Sequence, residues 1–478
     1  RVIVAAASKS AKPLQDGVSM ACDRGKVVMV GACPIDIPRA EMYIKELSFI
    51  VSRAYGPGSY DPTYEKQGVD YPISYVRWTE NRNMEEFLRL VSNGIVNVKP
   101  LISHEFDLDD APKAYSTVMD AGSKSLAVVL KYASVSETDA VAAYAPKRKV
   151  VVSTDPITDG DIRFAIVGAG NLAKWAHLPA LKKIAGAKLH AVHSNSGARG
   201  KAYAKRFGAS YASSDLAEIL GDKDIHAVII ASRHKDHAAQ AIAALEAGKH
   251  VFIEKPMAVT VEECRAINAA VESSGKRLMV GFNRRFAPFY TEMKQNLKGR
   301  SSPVVISTRM NSPGIQNGWA AEPAQGGVIL GEGCHFIDLM HWLLESEPVS
   351  ISAYGMGEHN IAASIKFDDG SIGNFIYTVI GSESSGGELV EVFAPGVGLT
   401  SEDFKSLSVK KKTRKNSTKM FAAKGYDDQL ASFVTSIRTG AETEITVRDG
   451  IRATLGCLLM IRSAQTGEAV DFDLNEAL

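Results

Sequence analysis

Over the first 132 residues, short apolar runs alternate with segments of helical period. "VIVAAA" (Val2 to Ala7), "KVVMVG" (Lys26 to Gly31) and "AVVLKY" (Ala127 to Tyr132) read as strands. A segment before Cys22, "EEFLRLVSNG" and "DDAPKAYSTVMDAG" read as helices. That alternation predicts a parallel sheet with covering helices, although no GxGxxG lies between a strand and a helix here. Residues 133–160 are small, polar and weakly periodic, and predict a linker holding one short strand, "KVVVS". A new domain starts at "IRFAIVGAG". Strands near Leu189 to His193, Ala227 to Ala231 and Val251 to Ile253, with helical segments between them, predict a doubly wound α/β domain over residues 161–282. From "LMVGF" onward strands dominate, with "VVISTRM", "SISAYG", "ASIKFDDGSIGNFIYTV" and "GELVEVFAP". One strong helix, Cys334 to Leu344, interrupts them, and two more, Tyr426 to Arg438 and Asp449 to Ser463, close the chain. Residues 283–478 therefore read as an α+β domain with C-terminal helices, and no repeat holds a fixed period.

Composition narrows this picture. At 478 residues the chain is long enough for two or three domains, and 45% hydrophobic with 23% charged residues is the balance of a folding, soluble chain. Lys+Arg at 55 against Asp+Glu at 54 gives no broad field for nucleic acid or an anionic membrane surface. "KKKTRK", Lys410 to Lys415, reads as a solvated turn, because no interleaved aromatic supports stacking on bases. No apolar run approaches the roughly 20 residues that span a bilayer, and the N-terminus lacks a signal-peptide layout, so a cytoplasmic location is expected. The opening "RVIVAAA" starts as a strand already under way with no initiator methionine, which reads as a fragment of a longer chain. Cys22, Cys33, Cys264, Cys334 and Cys457 are widely spaced and odd in number, which suits a reduced compartment and supports no cysteine-rich zinc site. His104 reads as a structural histidine, and no metal is expected.

The chemistry begins at "FAIVGAGNLAKWAHLPALKK". Gly168, Gly170 and Ala173 stand as G-x-G-x-x-A after an apolar strand and before a helical pattern, with Asn171 and Leu172 inside the turn. The first glycine permits the tight turn, the second lets a pyrophosphate approach the backbone, and the alanine allows close packing. Helix N-terminal amides then meet the phosphates of a dinucleotide. An acidic residue ending the second strand holds the adenosine ribose in NAD binders. Here no Asp or Glu occurs between Asp161 and Asp215, and Ser194, Asn195, Ser196, Arg199 and Lys201 follow the strand. Small hydroxyls and cations suit a 2′-phosphate, so the cofactor is expected to be NADP, with NAD as the alternative. Loops at strand C-terminal ends are where such ligands bind, and "ASRHKDHAAQ" offers Arg233, His234 and His237 there, although a helix cap explains His237 equally well.

A second pattern is a polar stripe in the apolar run "GGVILGEGCHFIDLMHW": Glu332, His335, Asp338 and His341 recur at three-residue spacing, along one slowly drifting face of a helix. "GKHVFIEKP", Gly248 to Pro256, places Lys255 and Pro256 after an apolar strand. Together with "VGFNRRF" and "GEGCHFIDL" at this distance from the glycine turn, the segment resembles the Gfo/Idh/MocA family, which includes glucose-fructose oxidoreductase and inositol dehydrogenase. The resemblance covers about Asp161 to the C-terminus.

It implies a Rossmann domain that binds a nicotinamide dinucleotide and a second domain with an open mixed sheet that holds the substrate. It also implies a homo-oligomer formed through that sheet. Lys255 then sits near the nicotinamide and the substrate hydroxyl, with Glu254 beside it at the cofactor. His335 matches the family histidine and is expected as general acid/base. The family usually places an aspartate four residues before it, where this chain has Gly331, so Glu332 is expected to substitute. Arg285, Asn311, Trp319 and Asp338 are the candidate substrate contacts, with an interdomain ion pair the simpler reading of the arginine.

Residues 1–132 resemble the C-terminal half of the Rossmann domain of zinc-type medium-chain dehydrogenases, through "AAASKS", "KVVMVG", "YGPGSYDPTYEKQGVDYP" and "LISHEFDLDDAPKAY". The combination resembles bi-domain oxidoreductases, in which the zinc domain and first glycine motif precede this point, so the segment is expected to be catalytically silent. The activity implied is hydride transfer between a nicotinamide and a sugar, polyol or sugar-derived alcohol. The competing reading is a non-catalytic nucleotide-binding or scaffold protein of a polysaccharide-biosynthesis system.

Overall fold

The computed structural model describes residues 1–132, 148–153, 160–409, 412–415 and 424–478. The chain forms two compact units, residues 1–145 and 146–478. In the first, Val2–Val4, Lys26–Met29 and Ser48–Val51 form a parallel three-stranded sheet in chain order. Helix Lys12–Met20 turns Leu14 and Val18 onto Val4, Val27 and Met29, which makes a small core. Ile102–Asp107 and Ala127–Lys131 form a separate parallel pair, joined through helix Ala111–Met119. His104 lies on the first of these strands, its ring stacked on Phe106.

The second unit holds two sheets. The first has the order Leu278–Val280, His250–Ile253, Ala227–Ile230, Ile162–Val167, Ala187–His193, Tyr211–Ser213 and Lys149–Val151. All neighbours are parallel except the last, which runs antiparallel to Tyr211–Ser213. Its central strands are nearly continuous apolar runs because helices cover both faces; Ala227 to Ile230 are fully buried. Chain order reverses direction across the sheet beside Ile162–Val167, so a crevice opens where the strand ends diverge toward opposite edges. Two predicted strands find their place here. Lys149–Val151, expected as a lone strand in the linker, is the edge strand of this sheet, while 133–147 and 154–159 lie outside the described residues. Leu278–Val280, the start of "LMVGF" and inside the 161–282 bounds, forms the other edge of this sheet by pairing with Val251–Ile253.

The second sheet is nine-stranded and mixed. Val305–Asn311 is central, parallel to Ile372–Thr378 and antiparallel to Glu388–Ala394. Beyond these lie Ile361–Phe367, Pro348–Gly355 and Val470–Asp471 on one side, and Val397–Glu402, Ser406–Val409 and Lys412–Lys415 on the other. Lys412–Lys415 is thus a strand where a turn was expected, because Val409 and Lys412 begin an antiparallel ladder that orders it; Lys410 and Lys411 lie outside the described residues. Burial alternates strictly along Ile361–Phe367, as a sheet covered on one face requires. Helices Gly327–Leu344 and Val447–Thr466 provide that cover.

Candidate active site

The chain leaves strand Ile162–Val167 through Gly168, whose φ is +102°. A β-carbon at Gly168 would stand 2.6 Å from the carbonyl oxygen of Ala231, so only glycine lets these two strand ends close. Gly170 differs. A β-carbon there would meet nothing nearer than that same oxygen at 4.0 Å, so the space over its backbone is open. Open backbone at the head of a helix is what a pyrophosphate needs, and the turn fits a dinucleotide. Ala173 is fully buried, where a larger side chain would hold the helix off the sheet. The helix begins with a π-wound turn, Ala173–His177, and His177 Nε2 meets Glu254 Oε1 at 2.8 Å. The other Glu254 oxygen accepts the Lys255 N–H at 3.2 Å.

Over the turn lies a cavity of about 1080 Å³. Gly168, Gly170, Asn171 and Leu172 form its floor, and Ser194, Asn195, Ser196 and Arg199 one end. Ser196 caps the following helix by accepting the Arg199 N–H, and no carboxylate lines this end. Arg233, His234 and His237 line a further wall, together with Glu254, Lys255, Gly331 and Glu332, and Trp319 leans in from the second domain. The Arg233 guanidinium lies 4.2 Å over the Trp319 ring, and the His234 ring packs against it at 4.8 Å. A smaller cavity of about 500 Å³ sits at the opposite, N-terminal ends of strands Ile162–Val167 and Ala187–His193, away from the turn.

Lys255 and Glu332 form an ion pair on this wall. Lys255 Nζ donates to the Gly331 carbonyl at 2.7 Å and to Glu332 Oε1 at 3.0 Å, which leaves one of its three N–H groups for a ligand. Burial disfavours both charges, but each opposes the other's loss. The Glu332 carboxylate holds Lys255 above its ordinary value, and Lys255 with Arg284 holds Glu332 below the usual carboxylate range. The pair is therefore ionised at neutral pH. Burial, with Lys255 adding to it, pushes His234 down to about 3, so that ring is neutral.

The other sequence-chosen residues lie away from this wall. His335, on the turn after Glu332, is buried edge-on to Phe282, and burial with Arg284 and Lys255 nearby holds it well below its ordinary value. Glu332 turns to Lys255 rather than to His335, whose Nδ1 has no partner, so the expected orienting contact is absent. Arg285 and Asp338, chosen as substrate contacts, bind each other: Arg285 Nε donates to Asp338 Oδ2 at 3.0 Å, and the guanidinium also reaches Asp449. Both are buried within the domain, and their polar atoms are taken. Asn311 donates to the carbonyls of Ser382 (2.8 Å) and Gly386 (3.1 Å), so it fixes a turn rather than a ligand. Sequence reasoning missed the Gly331 carbonyl and Gln325, whose carbonyl accepts from His234 Nδ1 at 3.1 Å. Backbone acceptors carry no residue-type signal, and Gln325 ends a single 3₁₀ turn, Pro323–Gln325, too short to show a period.

The first domain of this unit is a dinucleotide-binding Rossmann domain and the second contributes to its cavity, which is the organisation of an NAD(P)-dependent oxidoreductase. Residues 162–282 match the oxidoreductase family with an NAD-binding Rossmann fold, and residues 302–472 match that family's C-terminal α/β domain. Over these two domains the chain belongs to the Gfo/Idh/MocA family. It is 27% identical over 330 residues to a 1,5-anhydro-D-fructose reductase of Ensifer adhaerens, across 65% of this chain and 98% of that one. With a scyllo-inositol 2-dehydrogenase (NAD(+)) of Bacillus subtilis (strain 168) it shares 30% identity over 229 residues, across 45% of this chain and 66% of the relative. The crystal structure of a myo-inositol 2-dehydrogenase from Lactobacillus plantarum shares the fold, with a TM-score of 0.58 at 22% identity over 66% of this chain and 100% of the other. No described helix is long and apolar enough to cross a membrane.

Proposed function

We propose that the chain transfers hydride between NADP(H) and a secondary alcohol of a neutral sugar or cyclic polyol. The observation that carries this reading is the Lys255–Glu332 pair on the wall of the dinucleotide cavity, with one ammonium N–H left over. A bound nicotinamide supplies the hydride acceptor or donor. Lys255 presents its remaining N–H to the reacting oxygen, where a fixed positive charge stabilises a developing alkoxide. Glu332, ionised and adjacent, takes the hydroxyl proton in oxidation and returns it in reduction. This assigns to Glu332 the proton transfer that the sequence suggested for His335. The paired charges of the wall cancel, which favours a neutral substrate. The absence of a carboxylate beside Ser194, Asn195 and the exposed Arg199 supports NADP over NAD.

Three coarser features belong to the same reading. Phe393, Val305 and Ile372 are exposed and lie side by side on three neighbouring strands of the nine-stranded sheet, which suits burial against a second copy. Free cysteines suit a reducing, cytoplasmic compartment. Residues 1–132 fit the C-terminal half of a medium-chain dehydrogenase Rossmann domain, their parallel strands carrying no phosphate turn. The test of function is titration of NADPH and NADH, then nicotinamide absorbance with a panel of hexoses and inositols in both directions. Tighter NADPH binding and turnover of at least one panel member are expected. Dinucleotide binding with no turnover on any of them would instead support a scaffold, a reading that the ionised pair at the cavity wall does not favour.

A further inference from the structure

Lys255 accounts for one polar contact with a substrate, and a single hydroxyl contact does not orient a ring that carries several. The opposite flank of Gly331 supplies a second group. His234 is the first residue of helix His234–Glu246, behind strand Ala227–Ile230, and its ring lines the cavity. A β-carbon at Gly331 would lie 3.2 Å from His234 Cε1, so the missing side chain at Gly331 is the room that the imidazole occupies. The carbonyl of that same glycine holds Lys255 Nζ. His234 and the reactive lysine thus meet the cavity from two sides of one residue.

The ring is fixed as well as placed. Its Nδ1 faces the Gln325 carbonyl at 3.1 Å. A carbonyl oxygen only accepts, so Nδ1 carries the proton and Nε2 presents its lone pair. Trp319 and His237 pack edge-on against the same ring. Nε2 has no protein partner among the described residues, and it is not one of the sealed-in atoms. A neutral ring this buried presents an acceptor with no charge, on a wall where Lys255 presents a donor.

We infer that His234 Nε2 accepts a hydrogen bond from a substrate hydroxyl on the carbon next to the reacting one, so that the enzyme selects vicinal diols over isolated alcohols. The inference rests on the sugar or polyol reading and adds to it the residue that sets which hydroxyl reacts. Lys255 holds the oxygen that becomes the carbonyl, and His234 holds its neighbour. The two contacts fix the ring's rotation about the reacting carbon, which one contact leaves free.

The test uses the full chain loaded with NADPH, with calorimetric titration of myo-inositol, scyllo-inositol and glucose, and of the deoxy analogue of whichever binds, lacking one neighbouring hydroxyl. His234→Ala is expected to weaken binding of the parent compound at least tenfold while leaving NADPH affinity within twofold, and to bind parent and deoxy compound alike. His234→Gln, which restores an acceptor, is expected to recover part of the loss. Gly331→Ala, which crowds the ring, is expected to weaken binding in the His234 chain and to do nothing further in His234→Ala. If wild type binds the polyol and His234→Ala binds it equally well, the inference is wrong and the functional reading stands. If His234→Ala loses NADPH affinity as strongly as polyol affinity, His234 is a cofactor contact and the inference is again wrong. If loaded wild type binds none of the three compounds, the functional reading fails and takes this inference with it.

Discussion

Gly168 and Gly170 stand two residues apart in one motif, yet the structure assigns them different duties, and alanine at each separates folding from binding. At Gly168 an alanine must hold φ near +102°, a left-handed conformation that costs an L-residue about 1–2 kcal/mol. Its β-carbon also meets the Ala231 carbonyl at 2.6 Å, backbone that cannot rotate away. Overpacking of this kind costs about 1–3 kcal/mol. The sum, about 2–5 kcal/mol, corresponds to a fall in Tm of roughly 5–15 °C for a domain of this size. At Gly170 the β-carbon enters open space, and its φ lies outside the positive region. Alanine there is expected to leave Tm unchanged, or to raise it slightly through an unfolded-state effect of about 0.4–1 kcal/mol. It does, however, place a methyl group where a pyrophosphate would lie against the backbone. The measurement is differential scanning calorimetry of both variants, followed by NADPH fluorescence titration. Gly168→Ala should lose stability, and Gly170→Ala should keep it while binding NADPH at least tenfold more weakly. A Gly170→Ala chain that binds NADPH like wild type would refute the placement of the phosphate, and an unshifted Gly168→Ala would refute the packing argument.

Lys255→Met removes the donor at the reacting oxygen and is expected to cut turnover about a hundredfold or more with NADPH affinity nearly unchanged; comparable loss of both would make Lys255 a cofactor anchor. Glu332→Gln removes the proton acceptor and should lower turnover steeply, whereas His335→Ala, away from the cavity wall, should lower it much less, and the reverse ranking would return the proton transfer to His335. Arg285→Ala leaves Asp338 and Asp449 buried without their shared cation, and breaking such a pair costs about 3–5 kcal/mol, readable by urea denaturation; a loss under about 1 kcal/mol would place the pair in solvent. Acid should destabilise the fold. Burial holds His234 down to about 3 and His250 to about 4, both below their unfolded values, so the unfolded chain binds more protons and stability falls as pH drops from about 6.5 toward 4. His234 alone accounts for about 2 kcal/mol at about pH 5, and a Tm that stays flat between about pH 7 and 5 would contradict its burial as a neutral ring.

Much of the second unit was legible in the chain because its signals are local. The apolar run before Gly168, the alternation along Ile361–Phe367 and the turn "DDGS" between two strands each specify their element without help from distant residues. The cavity end that would face the adenosine was legible for the same reason, since strand, cap and cations are consecutive. What could not be read is pairing over long separations. Lys149–Val151 carries no mark of the sheet it joins, and Lys412–Lys415 is polar enough to pass for a turn until Ser406–Val409 lies beside it. The same limit governs the site. "NRRF" shows two arginines, but only the fold shows that Arg284 pairs with Glu388 and Arg285 with Asp338, both in buried ion pairs. Gly331 read as a missing aspartate. In space it is the gap that seats His234, which lies 97 positions earlier in the sequence and was chosen for a different contact.

The polar stripe on helix Gly327–Leu344 is one seam with two kinds of end. Glu332 opens into the cavity and pairs with Lys255, which keeps the carboxylate ionised. Three residues on, His335 is buried, and burial with Arg284 and Lys255 nearby holds it well below its ordinary value. Asp338 lies deeper still, and burial pushes its carboxyl up to about 6 even though Arg285 opposes that shift. Asp338, Arg285, Asp449, Arg452 and Glu347 then alternate in sign, each joined to the next at hydrogen-bonding distance. His341 ends the seam with Nδ1 on the Ser346 carbonyl at 2.9 Å. Asp338 belongs to the helix that carries Glu332, Arg285 to the segment after the dinucleotide sheet, and Asp449 to helix Val447–Thr466, so the network fixes the helix on both flanks. A carboxylate that must meet Lys255 from the other domain at 3.0 Å needs its helix held in rotation and in height. Asp338, through its ion pair with Arg285, and His341, through the Ser346 carbonyl, supply that constraint along the nine residues that follow Glu332.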